Sequence, residues 1–190
     1  MRVWRREEIR PWHVLGAVLG QAGPLLAFLG ALVVAAWLWS SRGGDPFVVE
    51  LFWSLFLVAA IGLVGAFALH ETAHVMALSR VATVTQIAME RTWLRVSVAP
   101  VGVLTPGQAA GVALVGPLSC TAVGGVLLVL APQSSLGWWF LAHAVFLLPV
   151  FGDGRALVRA ARAARAARAA GSAKQVPSVR TEAPATHAGH

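Results

Sequence analysis

Charged side chains are scarce in this sequence, and cysteine is nearly absent. Of the 190 residues, 12% are charged and 57% are hydrophobic, whereas soluble domains carry about 25% charged residues. A chain with so little charge cannot cover a globule of its own with polar surface, which excludes an ordinary soluble domain. The single cysteine, Cys120, excludes an intramolecular disulfide and any cysteine-rich zinc module.

The chain also lacks the length for a separate catalytic domain beside its apolar segments. A helix needs roughly 20 residues to cross a bilayer core of ~30 Å, so this length accommodates about four spans and little else. Four apolar segments are present, over residues 14–39, 47–78, 108–130 and 136–152. The sequence therefore predicts an all-α integral membrane protein with about four transmembrane helices, and any chemistry has to lie in or against the bilayer.

The basic residues are distributed unevenly among the segments that connect these spans. With four spans both chain ends share a side, and that side holds fourteen of the fifteen lysines and arginines, all except Arg42. The positive-inside rule then places both termini and the loop from Ser79 to Pro106 in the cytoplasm of a multi-pass cell-membrane protein. The tryptophans at the opposite ends of the spans fit an external aromatic belt. These are Trp37, Trp39, Trp53, Trp138 and Trp139.

The segments outside the spans have patterns of their own. Residues 1–13 form a charged cytoplasmic N-terminus. Runs at 84–89 and 93–99, the second with apolar and polar residues in alternation, predict a short membrane-associated β-hairpin in the cytoplasmic loop. Arginines in an alanine background predict a basic juxtamembrane helix over 159–170 that attracts anionic lipid, and no nucleic-acid partner is needed to explain them. Residues 171–190 lack apolar periodicity and are predicted to be disordered.

The motif that carries chemistry is His70-Glu71-Thr72-Ala73-His74, inside the second span. Because positions i and i+4 of a helix stack on one face, both imidazoles can reach one metal ion, and Glu71 can approach a water on it. A charge at the bilayer centre costs about 2.5 to 3.5 kcal/mol, so ionisable residues are rare there unless they belong to a functional site or a transport pathway. The alternative interpretation is a set of mutually hydrogen-bonded polar residues at a helix end.

A catalytic zinc ion usually takes three protein ligands, and the best candidate for the third is Asp153. A proline and two glycines around it would loosen the end of the fourth span and let the carboxylate turn inward. The apolar run over 136–151 covers only ~24 Å as a helix, which places Asp153 at about the depth of the histidines. The alternative is an aspartate that caps a helix end or pairs with Arg155.

Taken together, these features resemble the site-2 protease family of intramembrane zinc metalloproteases, in a small bacterial-type form without a PDZ domain. The resemblance covers about residues 48–158. Its motifs are HETAH, the strand-rich loop that follows, Thr105–Gln108 leading into Gly116-Pro117, and Pro149 with Asp153-Gly154.

The resemblance implies a membrane-embedded metalloprotease domain over residues 14–158. It implies zinc bound by His70, His74 and Asp153, with Glu71 as the catalytic base. The activity it implies is that of a zinc endopeptidase, which uses a zinc-activated water to hydrolyse peptide bonds of a membrane-spanning substrate within or near the bilayer.

The sequence departs from the family at two places where an asparagine is common, which here hold Cys120 and Phe146. The interval from Pro149 to Asp153 is also one residue shorter than usual. These departures favour an alternative function, a proteolytically inactive zinc-binding membrane scaffold that sequesters a single-span partner. A metal or proton transporter is a third candidate, although the chain shows no inverted repeat.

His143 is another polar residue of the fourth span. It lies ten residues before Asp153, about 15 Å away along a continuous helix, so we expect it to pack against other helices and not to bind the same metal. We expect Cys120 to be an inert, buried small residue.

Overall fold

The computed structural model describes residues 1–92 and 96–174 of the chain. It confirms the four predicted helices that are long and apolar enough to cross a membrane. The first, α1, is Pro11–Ser40. The second, α2, is Phe47–Ser79. The third, α3, is Pro106–Leu130.

The fourth of these candidate spans is Leu136–Ala170, where a span over 136–152 was predicted, and it contains two helices with a break between them. Helix α4 is Leu136–Leu141, and it passes into a 3₁₀ turn over Ala142–Leu147. Helix α5 is Gly152–Lys174. The residue before Pro149 has extended backbone dihedrals, φ −67° and ψ 143°, because a proline disfavours the helical region for the residue that precedes it.

Helix α5 also changes the predicted boundaries of the C-terminal part. The basic segment 159–170 is not a separate helix, because α5 continues through it without interruption and ends at Lys174. The helix thus includes the first residues of the segment predicted to be disordered. The rest of that segment, from residue 175, lies outside the described residues.

Helix α2 contains a π-helical segment that ends about one helical turn before the HETAH motif. Its backbone is π-helical over Val58–Gly65 and α-helical on both sides. The part before this segment has no buried residue, whereas the part after it buries both histidines and Glu71. Since π-helical turns are frequent at functional sites, this segment and the burial that follows it draw attention to the second half of α2.

The predicted β-hairpin is present, and it is part of a three-stranded antiparallel sheet. Strand β1 is Arg2–Arg5, β2 is Val84–Arg91 and β3 is Val96–Gly102, in the order β1-β2-β3. Strand β1 lies within the predicted charged N-terminus, residues 1–13, and was not itself predicted; its Arg2 pairs with Met89. Residues 93–95, which were predicted to start the second strand, lie outside the described residues.

The hairpin is fixed to α1 by Arg91. Its guanidinium donates hydrogen bonds to the carbonyl oxygen of Gly20, at 2.6 Å, and to the side-chain oxygen of Gln21, at 3.2 Å. These residues lie about 15 Å along α1 from its start, at 1.5 Å per residue. Gln21 is the one polar residue that interrupts the first apolar segment, and it meets the hairpin.

Helix α3 begins with a capping box and packs closely on α4. The Thr105 hydroxyl accepts from the backbone N–H of Gln108, and the Gln108 side chain accepts from the N–H of Thr105, which satisfies two donors at the helix start. Further along α3, a Cβ on Gly124 would lie 2.8 Å from the carbonyl oxygen of Gly137 in α4. The two glycines therefore allow the backbones of α3 and α4 to touch.

Candidate metal centre

The two histidines of the HETAH motif meet on one face of α2. Their rings are edge to face with centroids 4.7 Å apart, and their Nε2 atoms are 3.0 Å apart. Both side chains are buried, His70 with a relative exposure of 3% and His74 with 6%. This is the arrangement expected from their i, i+4 spacing on a helix.

Asp153 lies in the first turn of α5, and its carboxylate faces both rings. One oxygen is 3.0 Å from Nε2 of His70, and the other is 3.4 Å from Nε2 of His74. The Asp153 side chain is 21% exposed, whereas those of His70 and His74 are 4% and 8% exposed, so the cluster is most open at Asp153. Among the described residues Asp153 pairs with the two histidines and not with Arg155, whose guanidinium donates to the carbonyl oxygen of Val150 at 2.7 Å.

The separations within this cluster fit a metal ion. Ligand atoms that are about 2.0–2.1 Å from a tetrahedral zinc ion lie about 3.3 Å from one another. The two Nε2 atoms are 3.0 Å apart, and they lie 3.0 and 3.4 Å from different oxygens of Asp153, so one ligand atom from each residue lies within 4.8 Å of the others. The structure thus brings together the three ligand candidates named from the sequence.

The hydrogen bond of His74 identifies the tautomer that a metal needs. Its Nδ1 is 2.7 Å from the carbonyl oxygen of Val112 in α3. Since a carbonyl can only accept, Nδ1 carries the proton, and in the neutral ring the lone pair is on Nε2. That lone pair faces the oxygens of Asp153, and a cation between them removes the repulsion. Without a metal, the same lone pair can accept a hydrogen bond from Nε2–H of His70, which lies 3.0 Å away.

Gly116 in α3 lies directly against the two ligand nitrogens. A Cβ at this position would be 2.6 Å from Nε2 of His74 and 3.0 Å from Nε2 of His70. Only a hydrogen atom fits there. The next residue, Pro117, has no N–H for the helical hydrogen bond to Ala113. From the sequence, this pair was singled out only through the family resemblance.

Glu71 follows His70 on α2 and is buried, with a relative exposure of 8%. Its carboxylate interacts electrostatically with His74 and with the thiol of Cys120. It is not one of the three converging ligands. An acidic residue beside the ligands is available for proton transfer.

Cys120 and Phe146 lie where the family commonly has asparagine, and their surroundings differ from each other. Cys120 is fully buried, and its thiol donates to the carbonyl oxygen of Ala66 in α2, with sulfur and oxygen 3.3 Å apart. Phe146 packs its ring on His70, with centroids 5.1 Å apart, and also contacts the rings of Phe67 and Phe151. Cys120 thus connects α3 to α2 through a hydrogen bond, and Phe146 covers the ligand His70 with apolar surface.

His143 lies much closer to the cluster than the sequence predicts. Its ring centroid is 5.8 Å from that of His70 and 5.1 Å from that of Phe67. The prediction that it packs against other helices is confirmed, but the 15 Å separation was counted along a continuous helix. Because the helix ends before Pro149, the separation of 15 Å is wrong. Pro149 was the residue in the sequence that indicated a break at this point.

We predict that Gly154→Ala displaces Asp153. A Cβ on Gly154 would overlap the backbone carbonyls of Leu147 and Leu148, whereas a Cβ on Gly152 would meet nothing within 4 Å. Gly154→Ala should therefore weaken zinc binding about 10- to 100-fold, the range found when a ligand loses its support. Gly152→Ala is the matched control, and equal zinc affinities of the two variants would contradict the prediction.

Comparison of the chain with protein-family models, with curated proteins and with solved structures finds no match. The chemistry of the cluster is therefore inferred from its own geometry. That geometry consists of three converging ligand atoms, an adjacent buried carboxylate, and a glycine that leaves the space among the ligands open.

Proposed function

We propose that the chain is a multi-pass membrane protein with both termini in the cytoplasm, and that it is an intramembrane zinc endopeptidase. The observation that carries the proposal is the convergence of His70, His74 and Asp153 beside Glu71. The cluster lies among helices that are long and apolar enough to cross a membrane. In such a setting, ionisable residues are rare unless they serve a function.

The donor set favours zinc as the metal. Two imidazole nitrogens and one carboxylate form a three-ligand zinc set, which leaves a fourth position for water or substrate. Bound zinc would act as a Lewis acid that polarises the scissile carbonyl and acidifies the attacking water. The hydrogen bond from His74 to Val112 holds one ligand in the correct tautomer.

In this proposal Glu71 carries out the proton transfers of peptide hydrolysis. Its carboxylate accepts a proton from the water as the oxygen attacks the peptide carbon. It then gives the proton to the amide nitrogen as the C–N bond breaks, so that an acid and an amine are released. The partial exposure of Asp153 leaves one side of the cluster open for the substrate.

A helical substrate hides its carbonyl groups, so the peptide has to be extended before it is cut. Strand β3 lies at one edge of the described sheet. It contains Pro100, opposite Ile87, and a proline is tolerated in an edge strand where its nitrogen faces away from the neighbouring strand. We infer that β3 presents free backbone groups to which an extended stretch of substrate adds as a further strand.

We predict that Val98→Pro slows cleavage of a single-span model substrate. Val98 has the same orientation as Pro100, two residues away, so proline there removes an outward N–H without breaking the pairing with Met89 on β2. The loss of one backbone hydrogen bond, about 1 kcal/mol, corresponds to roughly a fivefold lower rate. Val98→Ala keeps the N–H and is the control. Equal rates for both variants would remove β3 from the mechanism.

The alternative function, an inactive zinc-binding scaffold, is favoured by one observation. The ring of Phe146 covers His70 where the family has an amide that could hydrogen bond to substrate. Metal analysis of the purified protein, followed by comparison of membrane proteomes from cells with the wild type and with Glu71→Gln, separates the two functions. Single-span proteins that accumulate only with the variant support the endopeptidase. Bound zinc without any such change supports the scaffold.

The arginine-rich part of α5 is proposed to contact anionic lipid. Its basic residues recur every three or four positions after the cluster, at Arg155, Arg159, Arg162, Arg165 and Arg168. Attraction of anionic lipid is worth about 1 kcal/mol per basic residue near the membrane surface. This contact needs no partner other than the bilayer.

A further inference from the structure

His143 has a buried ring nitrogen that has no role in the proposed peptide hydrolysis. The side chain follows α4 and has a relative exposure of 5%. Its Nδ1 lies 3.1 Å from the carbonyl oxygen of Trp139. Because the carbonyl can only accept, Nδ1 carries the proton, and the neutral ring has its lone pair on Nε2. This Nε2 is buried and has no hydrogen-bond partner in the described part of the chain.

Among the described residues, His70 likewise has one ring nitrogen with partners and one without. Its Nε2 faces Asp153 and His74. Its Nδ1 is buried and likewise has no hydrogen-bond partner within residues 1–92 and 96–174. A histidine that binds metal through Nε2 carries its proton on Nδ1, so this atom becomes a donor that needs an acceptor.

Nδ1 of His70 and Nε2 of His143 thus belong to neighbouring rings. The centroids of His70 and His143 are 5.8 Å apart, and the rings are tilted by 49°. Two imidazoles joined by an N–H···N bond have centroids a little over about 5 Å apart. Phe146 also contacts His70, but its ring has no nitrogen or oxygen to accept a hydrogen bond. His143 is thus the ring neighbour with a free acceptor.

We propose that Nε2 of His143 accepts a hydrogen bond from Nδ1–H of His70 and thereby positions this ligand for the metal. The inference rests on the proposed function, since it is metal binding at Nε2 of His70 that makes Nδ1 a donor. His143 is in turn oriented by the carbonyl of Trp139 on α4. The 3₁₀ turn between α4 and Pro149 is therefore part of the support of the site.

The test is zinc affinity of the purified full-length protein, measured by competition with a chelator. His143→Phe keeps a ring but has no acceptor, so its zinc affinity should fall about 10- to 100-fold, as for other lost partners of metal-binding histidines. His143→Gln restores an acceptor oxygen, so its affinity should return to within a few-fold of the wild type. With Co²⁺ in place of zinc, the absorption bands of the Phe variant should shift and those of the Gln variant should not.

The outcomes separate this inference from the proposed function. If the wild type binds no zinc, the proposed function fails and the inference fails with it. If the wild type binds zinc and His143→Phe has the same affinity and Co²⁺ spectrum, only the role of His143 is lost. Equal weakening in the Phe and Gln variants assigns His143 to packing and also overturns the inference. Should His143→Phe not fold, His143→Leu, which also lacks an acceptor, is held to the same expectation.

Discussion

Glu71→Gln should abolish peptide hydrolysis and leave zinc binding unchanged. Glutamine has nearly the size of glutamate and can keep hydrogen bonds in a buried position, but it cannot take a proton from water. General base catalysis contributes about 10²- to 10⁴-fold, so the cleavage rate should fall by at least this range. Because Glu71 is not one of the three converging ligands, the zinc content of the variant should equal that of the wild type.

The experiment uses purified protein in lipid vesicles, a single-span model substrate and metal analysis of the same samples. Glu50→Gln is the matched control, because Glu50 is an exposed glutamate on the same helix. It should cleave at the wild-type rate. Cleavage retained by Glu71→Gln would contradict the assigned base. Loss of zinc in that variant would instead indicate that Glu71 is a ligand. The structure does not predict this result, because the converging ligand atoms belong to His70, His74 and Asp153.

Features that depend on local periodicity were predictable from the sequence. The four helices follow from the lengths of the apolar segments, and the meeting of His70 and His74 follows from their spacing on a helix. Asp153 was predicted as the third ligand and does meet the histidines, but the depth argument behind that prediction counted residues 136–151 as one continuous helix, and the chain breaks before Pro149. Only for the four helices and the two histidines does a single element contain all the information.

Features that depend on pairing between distant segments were not predictable. Strand β1 has four residues and two arginines, so its alternation is too short to detect, and its stability comes from pairing with β2. The proximity of His143 to His70 depends on how the chain turns at Pro149, and a proline predicts a break without predicting the direction that follows. Gly116 was identified only as part of a family motif, and its contact with the two ligand nitrogens could not be predicted before the fold placed them beside it.

Gly116→Ala should remove zinc from the protein without unfolding it. The added methyl group would occupy the space between the ligand atoms, at 2.6 Å from Nε2 of His74 and 3.0 Å from Nε2 of His70. These are shorter than any ordinary contact between a carbon and a nitrogen atom, so the rings have to rotate away from Asp153. We expect zinc affinity to fall by about 100-fold or more, beyond the effect of losing a supporting hydrogen bond.

Gly111→Ala separates this effect from the change in the helix itself. Both glycines lie inside α3, and a Cβ on Gly111 would meet nothing within 4 Å. Alanine in a helix interior is favoured over glycine by about 0.5–1 kcal/mol, so Gly111→Ala gains this preference and places no methyl at the ligands. At Gly116 the ring of Pro117 also opposes a Cβ on the residue before it, so stability is measured for both variants alongside zinc affinity. Gly111→Ala should bind zinc as the wild type does. If Gly116→Ala also retained full zinc binding, that result would contradict a metal centre formed by His70, His74 and Asp153. It would favour the alternative of mutually hydrogen-bonded polar residues.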